Sequence, residues 1–474
     1  MLKKLLTLLL LSLTAVVYSS GLSEGRDVNI IGQYVQQREN GKKSISEILY
    51  EISNIYAYLD NNFLYEIDNR DVEEKLISGL VDSLGDKYSY YVPSSEADEY
   101  EEALTGEYVG IGTYLMKMNP SLMDPDDPRT YMIIISSTFP GGPADRSGLR
   151  ANDLISNING EDVSQMDARE ASRKLRGKEG EELVLTVHRG DSEFEIRLMP
   201  EKVEVPTCTY GMLDDSTGYL QIISFAENTN VVVEKALEEM TSDGMDALVI
   251  DLRNNGGGTV DSALAIADMF LSSGRMISVE YKDPLKRLGM TYEADKEVLV
   301  DENIDIAILV NGGTASSSEI LTASLMENDR AAVIGEKTFG KGIMQNVIPI
   351  GDGFIQFTSA HYLTPDGNDI HEKGIVPEIE IPQKEYTDEE MSAYADFFNS
   401  FETMKWVEEN PVFSDENIDS FIKENSGKGV PEDLLKMLVI NEYVHSMPSD
   451  ERPVALPEYD EVLSRAISYL KEAE

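Results

Sequence analysis

Asn311–Gln345, which reads NGGTASSSEILTASLMENDRAAVIGEKTFGKGIMQ, is the stretch around which this chain is organised. A hydrophobic strand predicted at Ile306–Val310 runs into two glycines and a Thr-Ala-Ser-Ser-Ser cluster, after which apolar residues recur at helical spacing. A strand, a tight turn and a helix place a hydroxyl at a helix N-terminus. There the unpaired N–H groups and the helix dipole favour an oxyanion.

A serine and a lysine together can catalyse hydrolysis without histidine, provided that the lysine is neutral. Lysine titrates near pH 10.4 in water, so burial has to lower the pKa of Lys341 before its amine can accept a serine proton. The simpler interpretation is a helix capping box, which the spacing of Ser316 and Glu319 also fits. Residue chemistry alone leaves both interpretations open.

Two motifs in this stretch resemble those of the carboxyl-terminal processing peptidases, or tail-specific proteases, which use a Ser/Lys dyad. Thr314–Ile320 stands where that family has S-A-S-A-S-E-I, and Thr338–Gln345 stands where it has T-F-G-K-G-x-x-Q. The resemblance implies that Ser316 is the nucleophile, that Lys341, 25 positions later (341 − 316), is the base, and that Gln345 supports the lysine. Thr314 and Ser317 depart from the motif, but the Ser317 N–H stays available.

A second glycine-rich segment follows the buried strand predicted at Ala247–Arg253. It reads Asn-Asn-Gly-Gly-Gly over residues 254–258, and three glycines allow the backbone to approach a ligand closely. The resemblance implies that this loop donates half of an oxyanion hole, with Gly257 and Gly258 as candidates and the Ser317 N–H as the other half. A plain tight turn is the alternative.

Residues 107–202 resemble a PDZ domain. Tyr108–Gly112 matches the glycine-rich loop whose N–H groups bind a peptide's terminal carboxylate, which makes Val109, Gly110, Ile111 and Gly112 the candidate peptide-binding residues. Gly142–Leu149 and Asn152–Gly160 match the turn, helix and strand that follow in such domains. A polar insertion at Met118–Thr130 is expected to form a surface loop, which would overhang the peptide groove if it folded back.

Composition limits the kinds of partner and the compartment. The 474 residues include 87 acidic and 40 basic side chains, and the net charge of −47 argues against nucleic acid and anionic membrane surfaces. Met1–Ser20 has a basic start and an apolar run at Leu5–Val17, which is typical of a signal peptide; an uncleaved anchor is the alternative. The single cysteine, Cys208, excludes an intrachain disulfide. We therefore expect an exported protein in the periplasm or cell envelope of a bacterium, with no metal or cofactor.

The resemblance covers Ile45–Pro382 and implies an α/β multidomain fold. The expected divisions are a signal peptide (1–20), an N-terminal helical region (21–106), a PDZ domain (107–202), a serine protease core with a ClpP/crotonase-like mixed sheet and flanking helices (203–385), and an acidic helical C-terminal extension (386–474). The aromatic residues of the extension, Phe397, Phe398, Phe401 and Trp406, pack it either on the core or on a second subunit, so a homodimer through terminal helices is one outcome.

The function that this resemblance implies is endoproteolysis of proteins recognised by their C-termini, through an acyl-enzyme. Two alternatives stay open. One is a Ser-His-Asp hydrolase that uses His361 or His371, although neither histidine lies in a catalytic motif. The other is a non-enzymatic PDZ scaffold with a degenerate protease core, against which the intact set of Ser316, Lys341 and Gln345 argues.

Overall fold

A computed structural model describes residues 43–117, 127–190, 192–282, 289–295, 298–448 and 451–473. The expected signal peptide and most of the insertion at Met118–Thr130 lie outside these ranges. None of the helices in the described ranges is both long enough and apolar enough to cross a membrane. The chain divides into two compact units, residues 1–80 and 81–474.

The described part of the first unit is helical. Helix α1 (Ile45–Asn62) begins at Ser44, whose N–H donates to the Glu47 carboxylate at 2.7 Å, and α2 (Asn69–Asp82) follows. No residue of α1 is buried. Its apolar residues are exposed instead, among them Ile48, Leu49 and Ile55.

The PDZ region is an antiparallel sheet closed by one main helix. The sheet order is β3-β4-β5-β7-β8, β6 pairs with β5, and β2 pairs with β9. Alternating apolar residues of these strands pack with the helix α5 into a separate core that includes Ile133, Ile155 and Leu185. The elements from residue 90 to residue 204 are β1 (Tyr90–Val92), α3 (Ala97–Thr105), β2 (Glu107–Gly110), β3 (Thr113–Met116), β4 (Ile133–Thr138), α4 (Pro143–Arg146), β5 (Leu154–Ile158), β6 (Glu161–Asp162), α5 (Ala168–Arg176), β7 (Leu183–Arg189), β8 (Ser192–Leu198) and β9 (Glu201–Glu204).

The protease region contains two sheets. The first has the order β10-β11-β12-β15-β16-β19 and is parallel except for β10, while the second, antiparallel sheet has the order β1-β18-β13-β14 with β17 paired to β18. The elements are β10 (Cys208–Met212), β11 (Thr217–Ile222), α6 (Thr229–Ser242), β12 (Ala247–Asp251), α7 (Val260–Asp268), β13 (Arg275–Tyr281), β14 (Met290–Glu293), β15 (Asp305–Val310), α8 (Ser317–Met326), β16 (Ala332–Gly335), β17 (Ile343–Ile350), β18 (Gly353–Leu363) and β19 (Ile379–Glu380).

The C-terminal extension is helical and contacts two different places. Its helices are α9 (Asp388–Asn399), α10 (Glu402–Glu409), α11 (Asp415–Asn425), α12 (Glu432–Ser446) and α13 (Glu461–Ala473). Helices α9 to α12 form a bundle with its own apolar core, which includes Phe397 and Phe421. Phe401 and Met404 leave that core and pack against Ile134 of the PDZ sheet.

Helix α13 instead covers one face of the parallel sheet of the protease region. Leu463, Ala466 and Leu470 are buried there, on apolar side chains of β11, β12, β15 and β16. Helices α6, α7 and α8 contribute to the apolar core on the other strand faces. The prediction of an α/β multidomain protein is confirmed, while the exact domain boundaries stay predictions. The strand β1 lies in the region expected to be helical.

Candidate active site

Ser316 lies at the turn between β15 and α8, where its side chain is nearly buried. Its backbone has φ 58° and ψ −118°, a conformation that non-glycine residues rarely adopt and that costs free energy unless the surroundings impose it. A strained strand-to-helix turn of this kind is the usual setting of a nucleophilic serine. Only 7% of Ser316 is exposed, so its hydroxyl is held in a mostly water-free environment.

Hydrogen bonds fix this turn to the neighbouring glycine-rich loop. Thr314 Oγ1 donates to the Leu252 carbonyl at 2.8 Å, and the Ala315 N–H donates to the Asn255 carbonyl at 3.0 Å. Because β12 and β15 are adjacent parallel strands, the two loops that follow them meet at the same edge of the sheet. The candidate nucleophile and the candidate oxyanion loop are therefore brought together.

Gly257 makes the closest approach to the serine. A Cβ at this position would lie 2.8 Å from Ser316 Cβ and 2.9 Å from Ser317 N, so only glycine fits. The Gly257 N–H already donates to Asn255 Oδ1 at 2.9 Å. Gly258 is held on its other side, since its carbonyl accepts from Ser317 Oγ at 2.9 Å.

One buried carboxylate joins the serine segment to the lysine segment. Glu319 Oε2 accepts from the N–H groups of Ser316 at 2.9 Å and of Lys341 at 2.8 Å. Its Oε1 accepts from Thr338 Oγ1 at 2.5 Å and from the Gly340 N–H at 2.8 Å. Glu319 is fully buried, so these bonds are shielded from water and hold the two segments in register.

Lys341 is half-buried, and burial lowers the pKa of its amine below the ordinary value, although the charges of Asp86 and Glu319 oppose this effect. Its Nζ lies 5.1 Å from the centroid of the Tyr88 ring. The direction of the shift is the one that a lysine base needs. In the described chain, no hydrogen bond links Lys341 Nζ to Ser316 Oγ.

Gln345 is not joined to the lysine. It lies at a bulge in β17, and its side-chain Nε2 is buried without a hydrogen-bond partner among the described residues. The supporting role that the resemblance implies for Gln345 therefore stays a prediction.

Tyr362 is a residue of this site that the sequence did not indicate. Its hydroxyl lies 3.1 Å from the Ser316 carbonyl and 2.6 Å from the Lys341 carbonyl, so it can donate to either. Burial raises the pKa of this phenol well above its ordinary value, which keeps the donor proton in place. The chain offers no motif around Tyr362, and only its place in β18 brings it to Ser316 and Lys341.

The two histidines of the rival hydrolase lie against each other. The rings of His361 and His371 are 5.6 Å apart, and His371 Nδ1 is buried without a partner in the part of the chain that is described. Within that part, neither ring is hydrogen-bonded to Ser316. Cys208 is also unsuited to nucleophilic attack, because burial raises the pKa of its thiol to about 12.

The predicted peptide-binding loop of the PDZ region is occupied by a side chain of the same strand. The Tyr108 ring packs so closely on Gly110 that a Cβ there would lie 2.3 Å from it, and it meets Phe139 edge-on at 6.3 Å. Burial raises the pKa of Tyr108, and the N–H groups of Thr113 and Gly112 oppose that rise. The Tyr108 ring therefore takes the space beside Gly110 in this loop.

The other loop residues are held by the fold. The Ile111 carbonyl accepts from the Ala144 N–H at 2.9 Å, and Gly112 has φ 74°, which favours glycine. Val109 lies in β2, opposite Lys202. In the described ranges, no group of three or more His, Cys, Asp or Glu side chains is arranged to hold a metal ion.

Comparisons with known proteins give the family of this chain. Residues 216–381 match the profile of Peptidase family S41, and residues 134–189 match that of the PDZ domain. The chain is 33% identical to a "Probable CtpA-like serine protease" of Staphylococcus aureus (strain COL) over 356 residues, which is 74% of this chain and 69% of that protein. A protein of the same name from Staphylococcus haemolyticus (strain JCSC1435) is 30% identical over 380 residues, 80% of this chain and 73% of the relative.

Among solved structures, the photosystem II D1 C-terminal processing protease aligns with a TM-score of 0.40 and 25% identity. The alignment covers 70% of this chain and 86% of that one.

Proposed function

Since this chain belongs to the S41 family of serine peptidases, as a carboxyl-terminal processing peptidase with a PDZ domain, we propose that Ser316 and Lys341 form its catalytic dyad. The observation that carries this proposal is the Glu319 carboxylate, which accepts from the backbone N–H groups of both residues. The shared carboxylate holds the backbones of the two residues beside each other, as a serine and a lysine that exchange a proton require.

In the proposed reaction, Ser316 Oγ attacks the scissile carbonyl carbon while its proton passes to the neutral Lys341 amine. The C–N bond breaks as Lys341 returns that proton to the leaving amine, which leaves an acyl-enzyme. Water then attacks the ester carbonyl with Lys341 as the base, and the serine is released with its proton.

The oxyanion donors that the geometry favours are the N–H groups of Ser317 and Gly258. The Gly257 carbonyl accepts from the Phe225 N–H at 3.1 Å. The C=O of Gly257 and the N–H of Gly258 belong to the same trans peptide and point in opposite directions. The Gly258 N–H therefore points away from Phe225. Gly257 contributes the space that its missing Cβ leaves beside Ser316. Each such donor is worth about 3 kcal/mol in the transition state.

Substrates are proposed to be proteins and peptides with free C-termini, captured by the PDZ domain at Val109–Gly112. The apolar start of the sequence supports export to the cell envelope, with membrane association only if that segment is retained. The exposed apolar residues of α1 support a homodimer through terminal helices, which sedimentation of the full chain at rising protein concentration tests directly.

The test of the dyad is cleavage of an unstructured peptide with a free C-terminal carboxylate. We expect Ser316→Ala and Lys341→Met each to lower kcat/KM by about 10⁴-fold or more, whereas His361→Asn, His371→Asn and the exposed control Ser426→Ala retain activity. Loss of activity in a histidine variant together with an active Lys341→Met would overturn the dyad in favour of the histidine hydrolase. Full activity of Ser316→Ala would contradict the proposal that this chain is a protease with Ser316 as its nucleophile.

Recognition of C-termini needs a second pair of substrates. The same peptide with a C-terminal amide lacks the carboxylate, and we expect its KM to rise while its kcat is little changed, because PDZ binding is remote from the reacting bond. Equal KM values for the two peptides would contradict capture by the terminal carboxylate and leave the dyad unaffected.

A further inference from the structure

The ring of Tyr88 contacts two lysine side chains, one of which is the candidate base. Lys341 Nζ lies 5.1 Å from the ring centroid and Lys87 Nζ lies 4.7 Å from it. Both distances are within the range at which an aromatic ring attracts an ammonium group. The two nitrogens are therefore separated by at most about 10 Å, which is one Debye length at 0.1 M salt. A second cation is thus close enough to act on Lys341.

The loop that carries this ring, residues 86–89, is fixed to the strand β18. Asp86 Oδ2 accepts from Ser89 Oγ at 2.5 Å, and Ser89 Oγ in turn accepts from the Thr358 N–H at 3.0 Å. The Tyr88 carbonyl accepts from Gln356 Nε2 at 3.2 Å. Because β18 pairs with β17, which begins two residues after Lys341, the ring and the lysine are held on the same scaffold.

The titratable and charged groups around the lysine and this ring are Asp86, Lys87, Glu319, Tyr362, His361 and His371. The carboxylates of Asp86 and Glu319 favour a protonated Lys341, and burial disfavours it. Hydrogen bonds and the nearby His371 keep the pKa of Asp86 below its ordinary value in spite of burial, so Asp86 is ionised at neutral pH. Lys87, which is exposed, adds a positive charge 4.7 Å from the centre of the ring.

We propose that Tyr88 is a positioning residue that holds the Lys341 side chain against its ring, and that Lys87 on the same ring repels the proton from Lys341. The inference rests on the proposed function, since it requires Lys341 to be the base. An aromatic ring attracts an ammonium more than an amine, so Tyr88 alone favours the charged lysine. The charge of Lys87 acts in the opposite direction and lets the amine be neutral at a lower pH.

These opposite effects give the inference a sharp test in the pH dependence of kcat/KM, measured on the full chain with the free-carboxylate peptide. The rise of activity with pH reports the deprotonation of the base. Tyr88→Leu removes the ring, so we expect kcat to fall by about 10-fold to 100-fold. We also expect the increase of kcat/KM with pH to occur at lower pH. Tyr88→Phe keeps the ring and is expected to resemble the wild type.

Lys87→Met removes the second cation, and we expect the rise of activity to move to higher pH by about 0.3 to 1 unit. Lys87→Arg keeps the charge and should leave the rise in place. The matched control is Lys235→Met on α6, which removes the same charge from an exposed position paired with Glu239. Because Lys87 is exposed, the shift should shrink in 1 M salt.

The outcomes separate this inference from the proposed dyad. If Lys341→Met is inactive but the rise of activity stays at the wild-type pH in Lys87→Met or in a folded Tyr88→Leu, the inference is wrong and the dyad stands. A Tyr88→Phe variant as impaired as Tyr88→Leu would also overturn it, because the phenol oxygen and not the ring would then matter. If Lys341→Met stays active, the proposed function itself fails. Lys87→Met decides the question even if Tyr88→Leu does not fold.

Discussion

Glu319 links more of this site by hydrogen bonds than its position in a helix-capping motif indicates. Its two oxygens accept hydrogen bonds from Ser316, Thr338, Gly340 and Lys341, which lie on segments separated by about twenty residues of chain. Hydrogen bonds to an ionised acceptor are the stronger kind, and here water cannot compete with them. The local cap and the long-range link are thus made by the same carboxylate.

Glu319→Gln should disrupt this link. An amide offers only one oxygen, so its NH2 group would face backbone N–H donors, and each orphaned donor costs about 1 to 3 kcal/mol. We expect kcat/KM to fall on the order of 100-fold, because the lysine is displaced from the serine, together with a lower Tm. The matched control is Glu327→Gln at the other end of α8, where the carboxylate accepts from the exposed Asp366 N–H. Equal activity of the two variants would contradict the role of Glu319.

The sequence predicts site residues where a local motif surrounds them, and it gives no signal for residues brought in from a distance. Ser316 and Lys341 were predicted because a short motif surrounds each of them. Tyr362 was not, because its contact with both of their carbonyls depends on the pairing of β18 with β17, and no local pattern specifies that pairing. The contact between Tyr88 and Lys341 likewise depends on β18, to which the Tyr88 carbonyl is hydrogen-bonded through Gln356.

Among the elements, the bundle α9 to α12 was predicted as helical but could not be placed. The pattern of an amphipathic helix indicates that one face is buried, but it does not indicate which surface that face covers. Sequence left the choice between the core and a second subunit, whereas Phe401 and Met404 pack on Ile134 of the PDZ sheet. Asn152 Nδ2 also donates to Glu442 Oε1 at 2.8 Å, so polar and apolar contacts attach the bundle to the PDZ region.

This attachment should depend on pH through Glu442. Burial raises the pKa of Glu442 above its ordinary value, and the bond from Asn152 only partly opposes this. A carboxyl with a raised folded-state pKa stabilises the fold below its unfolded-state pKa and loses that contribution as the pH rises through the folded-state value. Glu442→Gln cannot ionise, so we expect its Tm to exceed that of the wild type by about 1 to 3 °C at pH 8 and by less at pH 5.

Thermal melting at the two pH values checks this prediction. The control is Glu424→Gln, an exposed glutamate on α11, which should change neither Tm by a measurable amount. A Glu442→Gln variant that is less stable than the wild type at pH 8 would mean that the carboxylate is stabilising in its ionised form.

In the molecule as a whole, the last helix belongs to the protease core and not to a detachable extension. Leu463 is fully buried on the parallel sheet, and Asp460, just before α13, pairs with Arg253 at 2.7 Å. Arg253 also pairs with the buried Asp251 at the end of β12, so the same strand that leads to the candidate oxyanion loop is tied to the C-terminal segment.

Leu463→Ala should therefore destabilise the catalytic region. Removing a fully buried leucine side chain costs about 2 to 5 kcal/mol, because a cavity remains. We expect a lower midpoint in urea and faster proteolysis of the core. The control is Met437→Ala on α12, a residue that is 41% exposed and should have little effect. Equal midpoints for the two variants would show that α13 contributes nothing to the stability of the sheet.

The shared carboxylate of Glu319 also limits how such an enzyme can be kept idle. Loss of any one of its four donors would cost this buried carboxylate a hydrogen bond, so we expect the Ser316 and Lys341 backbones to stay assembled between turnovers. Inactivation would then act on the position of the Lys341 amine or on the access of the substrate chain to that amine. In either case the backbones of the proposed dyad keep their places between one substrate and the next.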